Sequence, residues 1–170
     1  MKIAIHGPMC SGKTTISNII KECDNGYKTY SFGRKVKEIA TDLFKMEGKN
    51  RSLLIKVADK MREIDEDIWA KYVIAEIEKD KNEKCIIDDL RFQNESKYLE
   101  GWKIISLTTP KQVRVERIKA LYKENYEDHL KNMDHLSETD KLQLPKDTIY
   151  IDTSINFEEL QKKISDIIRI

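Results

Sequence analysis

Gly7 to Thr14 reads GPMCSGKT, a G-x-x-x-x-G-K-T run set between the apolar stretch Ile3-Ala4-Ile5 and the helically spaced Ile16, Ile19, Ile20 and Cys23. A buried strand, a glycine-punctuated turn and a helix in that order leave the loop few conformations. Its N–H groups converge on one point and the helix N-terminus faces the same way, which makes an anion cradle. Gly7, Cys10, Ser11, Gly12, Lys13 and Thr14 can wrap a β-phosphate, with the Lys13 charge between the β- and γ-phosphates and the Thr14 hydroxyl on Mg²⁺. The spacing predicts a nucleoside triphosphate site. It leaves open whether the γ-phosphoryl goes to water, to a small molecule or to a protein.

The rest of the chain alternates strand and helix patterns. Residues 27–32 read as a short strand after Asn25-Gly26; Val36, Ile39, Ala40, Leu43 and Phe44 then follow helix spacing, as do Leu53, Leu54, Val57, Ala58 and Met61. A third helix is expected to open at Asp65, where Asp65, Glu66 and Asp67 suit a helix N-terminus. Cys85-Ile86-Ile87 reads as the next strand, ending in Asp88-Asp89. A short helix over 94–99, a strand over 103–108, a helix from Pro110, an irregular polar segment over 125–145 and a strand over 148–151 follow. The final helix begins with Asn156 and Glu159 in capping-box spacing. This order predicts a three-layer α/β/α domain around a parallel sheet, with the ligand outside the carboxyl ends of the strands. About fifty residues and three helices separate the second and third strands, more than a crossover needs, and they read as an acceptor-binding arm.

Composition narrows the partners. At 170 residues the chain fits one domain, and 31 Lys plus Arg against 30 Asp plus Glu give a net charge of +1, no broad field for nucleic acid or anionic lipid. Cys10, Cys23 and Cys85 are too few and too scattered for a disulfide framework or a metal site, and no apolar run approaches a membrane span. Small-molecule substrates and a cytoplasmic location are expected, with no nucleic-acid or membrane partner; a homodimer stays open.

Several charged residues are candidates for the chemistry. Asp89, at the end of an apolar strand, can order Mg²⁺ beside Thr14, and Arg91 and Glu95 follow close behind; the alternative is a structural ion pair of Asp89 with Arg91 and a cap from Glu95. Arg34, Lys35 and Lys37 crowd a helix start, where cations oppose the helix dipole, so an anion such as an acceptor phosphate is expected there. Arg62 and Trp69 are ambiguous, Trp69 between stacking on a base and filling the core. Arg114 and Arg117 lie one turn apart on a segment that can act as a flap over the transferring group, or they are surface arginines paired with Glu116 or Glu124. His135, Ser137 and Glu138 form a lid contact or begin a short helix.

On these residues the chain resembles the phage- and virus-type deoxynucleoside monophosphate kinases, within the nucleoside monophosphate kinase superfamily. The likeness rests on the P-loop, on Phe32-Gly33 with Val36-Lys37-Glu38, on Arg62 with Ile64-Asp65-Glu66-Asp67-Ile68-Trp69, on Asp89-Leu90-Arg91-Phe92-Gln93-Asn94-Glu95, similar to D-V-R-F-x-N-E, and on His135-Leu136-Ser137-Glu138, similar to H-x-S-E. The resemblance implies a P-loop kinase domain over 1–170 with a five-stranded parallel sheet in the order 2-3-1-4-5, a substrate arm at about 33–80 and a lid at about 114–145. It implies that Gly7 to Thr15, with Arg114, hold ATP, that Thr14 and Asp89 serve Mg²⁺, and that Lys13, Asp89, Arg91 and Arg117 support transfer. Arg34, Lys37, Arg62, Trp69, Arg91 and Glu95 would then surround a deoxynucleoside monophosphate that is converted to the diphosphate. A kinase of a non-nucleotide phosphorylated small molecule and a nucleotide-sensing module are the competing readings.

Overall fold

The computed structural model describes residues 1–139 and 142–169; positions 140 and 141, inside the expected lid, lie outside the described residues. Five strands, β1 (Lys2–His6), β2 (Lys28–Tyr30), β3 (Cys85–Leu90), β4 (Lys103–Thr108) and β5 (Ile149–Asp152), form one sheet in the order β2-β3-β1-β4-β5. Every pairing is parallel, as the strand-helix alternation predicts, and the order is the 2-3-1-4-5 that the family resemblance implies.

Strand alternation divides the core into two layers. Ala4, Ile87 and Ile104 face the helices of the arm, α2 (Phe32–Phe44), α3 (Arg51–Ile64) and α4 (Ile68–Asp80), where Val36, Ala40, Trp69, Val73 and Ile77 meet them. Ile3, Ile5, Ile86 and Ile105 face the other way, against Ile16 and Ile20 of α1 (Lys13–Cys23) and Leu160 and Ile164 of α9 (Phe157–Ile168). Asn156 caps α9 as expected, its side-chain oxygen accepting the Glu159 N–H at 2.8 Å.

Three boundaries differ from the sequence reading. β2 stops at Tyr30, because Ser31 is the extended N-cap of α2 and Phe32 already turns helical. α4 begins at Ile68, not Asp65. The acids there make ties instead of a first turn: Asp65 ends α3 and accepts from the Asp67 N–H and Lys71, while the Asp67 carboxylate accepts from Asn94 and Tyr98 next to α5 (Gln93–Lys97). The polar segment expected to be irregular carries two short helices, α7 (Tyr126–Lys131) and α8 (Leu136–Thr139), which follow α6 (Lys111–Leu121) in the region expected to be a lid.

A third, small apolar cluster joins Met9 of the glycine-rich loop to Ile118 and Met133 of this segment, with Tyr122 and Leu130 packed on them. His129 is fully buried beside it, stacked on Tyr122 with ring centroids 3.8 Å apart and 13° between planes. Its Nδ1 lies 3.1 Å from the Asn125 carbonyl, and its Nε2 has no partner among the described residues. From α7, Asp128 reaches across to the arm, accepting the Arg51 and Ser52 N–H groups and the Ser52 hydroxyl at the start of α3.

Burial holds the His129 imidazole below its usual value, with Lys49 and Arg51 adding like charge and the Asn125 carbonyl and Asp128 opposing. A base depressed in the folded state is neutral there, and the unfolded chain takes up the proton first. Stability from this group should be complete above about pH 6.5 and fall as pH drops below it, by at most about 1.4 kcal/mol per pH unit. Urea midpoints measured between pH 5 and pH 8 should show this slope in the native chain and lose that part of it in His129→Phe.

Candidate active site

The P-loop has the backbone that its sequence demands. Gly12 (φ +97°) and Cys10 (φ +59°) are left-handed, and Gly7 has φ +154° with no room for a side chain, since a Cβ there would lie 2.7 Å from Ser11 Oγ and 3.0 Å from Leu107 Cβ. No side chain caps α1, so its first N–H groups remain for an incoming anion. Lys13 arches back over the loop, donating to the Gly7 and Pro8 carbonyls at 2.6 and 2.8 Å. Burial, and then the like charge of Arg91, pull its ammonium down to about 7. A polyphosphate beside it would restore the charge.

The loop opens on a cleft of about 830 Å³, lined by Lys13, Thr14 and Thr15, by Phe32 and Lys37 of α2, by Phe92, and by Thr153 and Phe157 after β5. The residues present fit a triphosphate with Mg²⁺: free helix N-terminal amides, a cation, the Thr14 hydroxyl and a nearby carboxylate.

Two adjacent carboxylates, Asp88 and Asp89, line the cleft. β3 runs on through Leu90, so Asp88 and Asp89 point to opposite faces. Asp88 shares the α1 side with Ile86, lines the cleft, and feels Lys13 and Lys21; burial, then the neighbouring Asp89, pushes it up to about 6. Asp89 turns toward α2, where it accepts from the Ser31 hydroxyl at 2.7 Å and from the Phe32 and Gly33 N–H groups at 2.9 and 2.8 Å. Asp88, on the α1 side, is thus a second candidate beside Asp89 for ordering a metal near Thr14, and Asp89 is also the anion that meets the Arg34-Lys35-Lys37 helix start. The expectation that an acceptor phosphate would do so is corrected: the helix end already holds a carboxylate.

Arg34 and Lys37 both line the cleft, and Arg34 is paired there with Glu76, its Nη2 2.6 Å from Oε1. Arg62 lies over the Phe92 ring, its guanidinium carbon 4.2 Å from the centroid, with Asp59 at 3.1 Å and Glu95 at 3.7 Å. Cation and aromatic ring thus share one wall. Glu95 is nearly fully buried and accepts the Arg91 and Phe92 N–H groups, which fixes the turn that presents both side chains. Burial and then Asp89 push its carboxyl up to about 7 against those hydrogen bonds.

Two expected residues do not reach the cleft. Trp69 is 3% exposed in the core between sheet and arm, its indole N–H donating to the Ala58 carbonyl at 3.2 Å, so the base-stacking expectation is corrected. Arg114 is absent from the lining, its Nε and Nη1 buried without a hydrogen-bond partner among the described residues. Arg117 does line the cleft, but its guanidinium donates to the Cys10 carbonyl at 3.2 Å and the Thr153 carbonyl at 2.6 Å, tying the P-loop to the loop after β5. Asp88, Phe92 and Arg51 were missed as site residues. Continuing β3 through both acids would have found Asp88; Arg51 carries no local signal.

The model of the AAA domain family matches residues 3–141, and the chain belongs to that family. No curated protein matches the chain in sequence. Among solved structures, a gluconokinase from Sinorhizobium meliloti is similar with a TM-score of 0.60 at 15% identity, covering 99% of this chain and 91% of its own. A dephospho-CoA kinase from Campylobacter jejuni gives a TM-score of 0.55 at 18% identity, over 99% and 96%. The Mycobacterium tuberculosis APS kinase CysC, solved with AMPPNP and APS, gives 0.56 at 12% identity, over 99% and 97%. At these identities the likeness is one of fold, that of the small P-loop kinases.

The two acids should separate on substitution. Asp89→Ala strands two amides and a hydroxyl and should cost about 1–3 kcal/mol of stability. Asp88→Asn should leave the thermal midpoint within a few degrees of the parent while weakening the Mg²⁺ dependence of nucleotide binding. Calorimetric melting and nucleotide titration with and without Mg²⁺ check both.

Proposed function

We propose that the chain is an ATP-dependent kinase acting on the phosphate of a nucleoside monophosphate, with deoxynucleotides as the expected acceptors. The observation that carries this reading is the cleft wall opposite the P-loop. There the Phe92 ring and the Arg62 guanidinium lie together, and Arg91 and Lys37 line the same cleft. A planar ring at one end of an acceptor and an anionic group at the other suit such a wall.

The chain's own residues then divide the work. The P-loop amides and Lys13 bind and orient the triphosphate, and Arg117 keeps that loop in register with the loop after β5. Thr14, with Asp88 or Asp89, would hold Mg²⁺, which when bound offsets charge on the phosphate oxygens. Arg91, on the turn braced by Glu95, lies close enough to Lys13 for their like charges to interact, and it can balance charge on the group passing between donor and acceptor. An acceptor phosphate oxygen forms the new P–O bond as the bond to the ADP oxygen breaks, so acid–base chemistry is not required and alignment is what the protein supplies. The lid helices, tied to the arm, keep water from competing as the nucleophile.

A second reading, a kinase of a non-nucleotide small molecule, is favoured by one observation: the buried Trp69 offers no stacking surface. Fold neighbours include a gluconokinase and a shikimate kinase, so the acceptor side of this fold is adaptable.

ADP formation from ATP and Mg²⁺ should be stimulated strongly by particular deoxynucleoside or nucleoside monophosphates over a no-acceptor control. Stimulation by none of them would move the acceptor outside nucleotides. Phe92→Ala should raise the monophosphate KM about 10- to 100-fold, the equivalent of one lost ring stack, and leave the ATP KM unchanged. Lys13→Ala should lower kcat by orders of magnitude with the melting transition retained.

A further inference from the structure

One carboxylate joins parts of the chain that are far apart in sequence. Glu138, on α8, has a side chain with no exposed surface. Its Oε2 accepts the Met9 N–H of the P-loop at 2.5 Å. Its Oε1 accepts from Arg51 Nη2 at the start of α3 and from Arg91 Nη1 beyond β3, and Arg91 is held further by the Ser137 carbonyl at 3.0 Å.

Two guanidiniums therefore meet on one oxygen, with side chains only 13% and 17% exposed. Away from water their mutual repulsion is weakly screened, and burial followed by Arg91 pulls Arg51 below its ordinary value. Side chains in that arrangement separate unless an anion stands between them. Glu138 supplies one negative charge against the two arginines it holds, so that three-residue cluster keeps a net positive charge beside the P-loop. Arg51, Arg91 and Lys13 all line the cleft, and Arg51 Nε is a buried donor with no partner among the described residues. Two fixed planar donors beside a P-loop lysine match a phosphoryl group rather than a neutral ligand.

We propose that Arg51 and Arg91 form a two-guanidinium clamp for the phosphoryl group in transfer, and that Glu138 is the positioning residue that fastens the clamp to the P-loop. This rests on the kinase reading above and adds to it Arg51, Glu138 and the dependence of the clamp on the lid. The opposite arrangement, in which Glu138 blocks the phosphoryl position until it is displaced, predicts effects of opposite sign.

The deciding comparison is the affinity for ATP against ADP, both with Mg²⁺, by calorimetric titration of the native chain, Glu138→Gln and Arg51→Ala. The native chain should prefer ATP by about tenfold or more, the worth of one or two charge-assisted hydrogen bonds to the γ-phosphate, and both variants should bind the two nucleotides alike. In turnover with an acceptor, Glu138→Gln should lower kcat at least tenfold and raise the ATP KM in step with its loss of ATP affinity, leaving the KM for the acceptor little changed. Added guanidinium should restore part of the Arg51→Ala rate, a rescue that a merely structural role for Arg51 would not give. A native chain without ATP preference, variants that keep it, or a Glu138→Gln form that binds ATP more tightly and turns over faster would each overturn the clamp. If Glu138→Gln fails to fold, Arg51→Ala decides alone. The binding comparison needs no turnover, so it judges the clamp separately even where no monophosphate proves to be an acceptor.

Discussion

The attachment of the arm to the sheet depends on Asp89. Its carboxylate accepts a hydroxyl and two backbone N–H groups at the start of α2, which pins the first arm helix to the end of β3. An exposed helix start rich in cations would be unfavourable by itself, and a fixed anion at that position turns a dipolar penalty into a point of attachment. From that anchor the arm packs Trp69 and its neighbours over the sheet face carrying Ala4 and Ile87, while Asp88, one residue earlier on the opposite face, also lines the cleft. A pair of adjacent acids thus does two jobs because a strand alternates.

The sheet was legible in the sequence for a simple reason. Apolar runs such as Ile3-Ala4-Ile5 and Cys85-Ile86-Ile87 are buried on both faces, and the glycines at 7 and 12 permit only one kind of turn after the first of them. Patterns of that type depend on near neighbours. The site was less legible where its logic is long-range. Whether Asp88 or Asp89 faces the P-loop depends on how far β3 continues, which the apolar run ending at Ile87 does not say. The acids at 65–67 look like a helix start, yet Asn94 and Tyr98, about thirty residues on, claim one of them. Arg51 meets Glu138 across 87 residues, and nothing within a helical turn of either predicts it. Trp69 runs the other way. Its helical spacing suggested core, the family resemblance suggested substrate, and the spacing was the better guide.

Charge is arranged in opposition throughout the cleft. Lys13, Arg51, Arg62 and Arg91 each have a carboxylate or carbonyls close by, so the cations are held in place without being neutralised as a group. Such pairing costs solvation, and its benefit is geometric: side chains that would otherwise be long and mobile have defined positions before any ligand arrives.

The bond from Asp128 to the first residues of α3 has a mechanical consequence. Asp128 holds the Arg51 and Ser52 amides and the Ser52 hydroxyl, so a displacement of α7 from α3 must either break those bonds or carry the first turn of α3, and Arg51 with it, along.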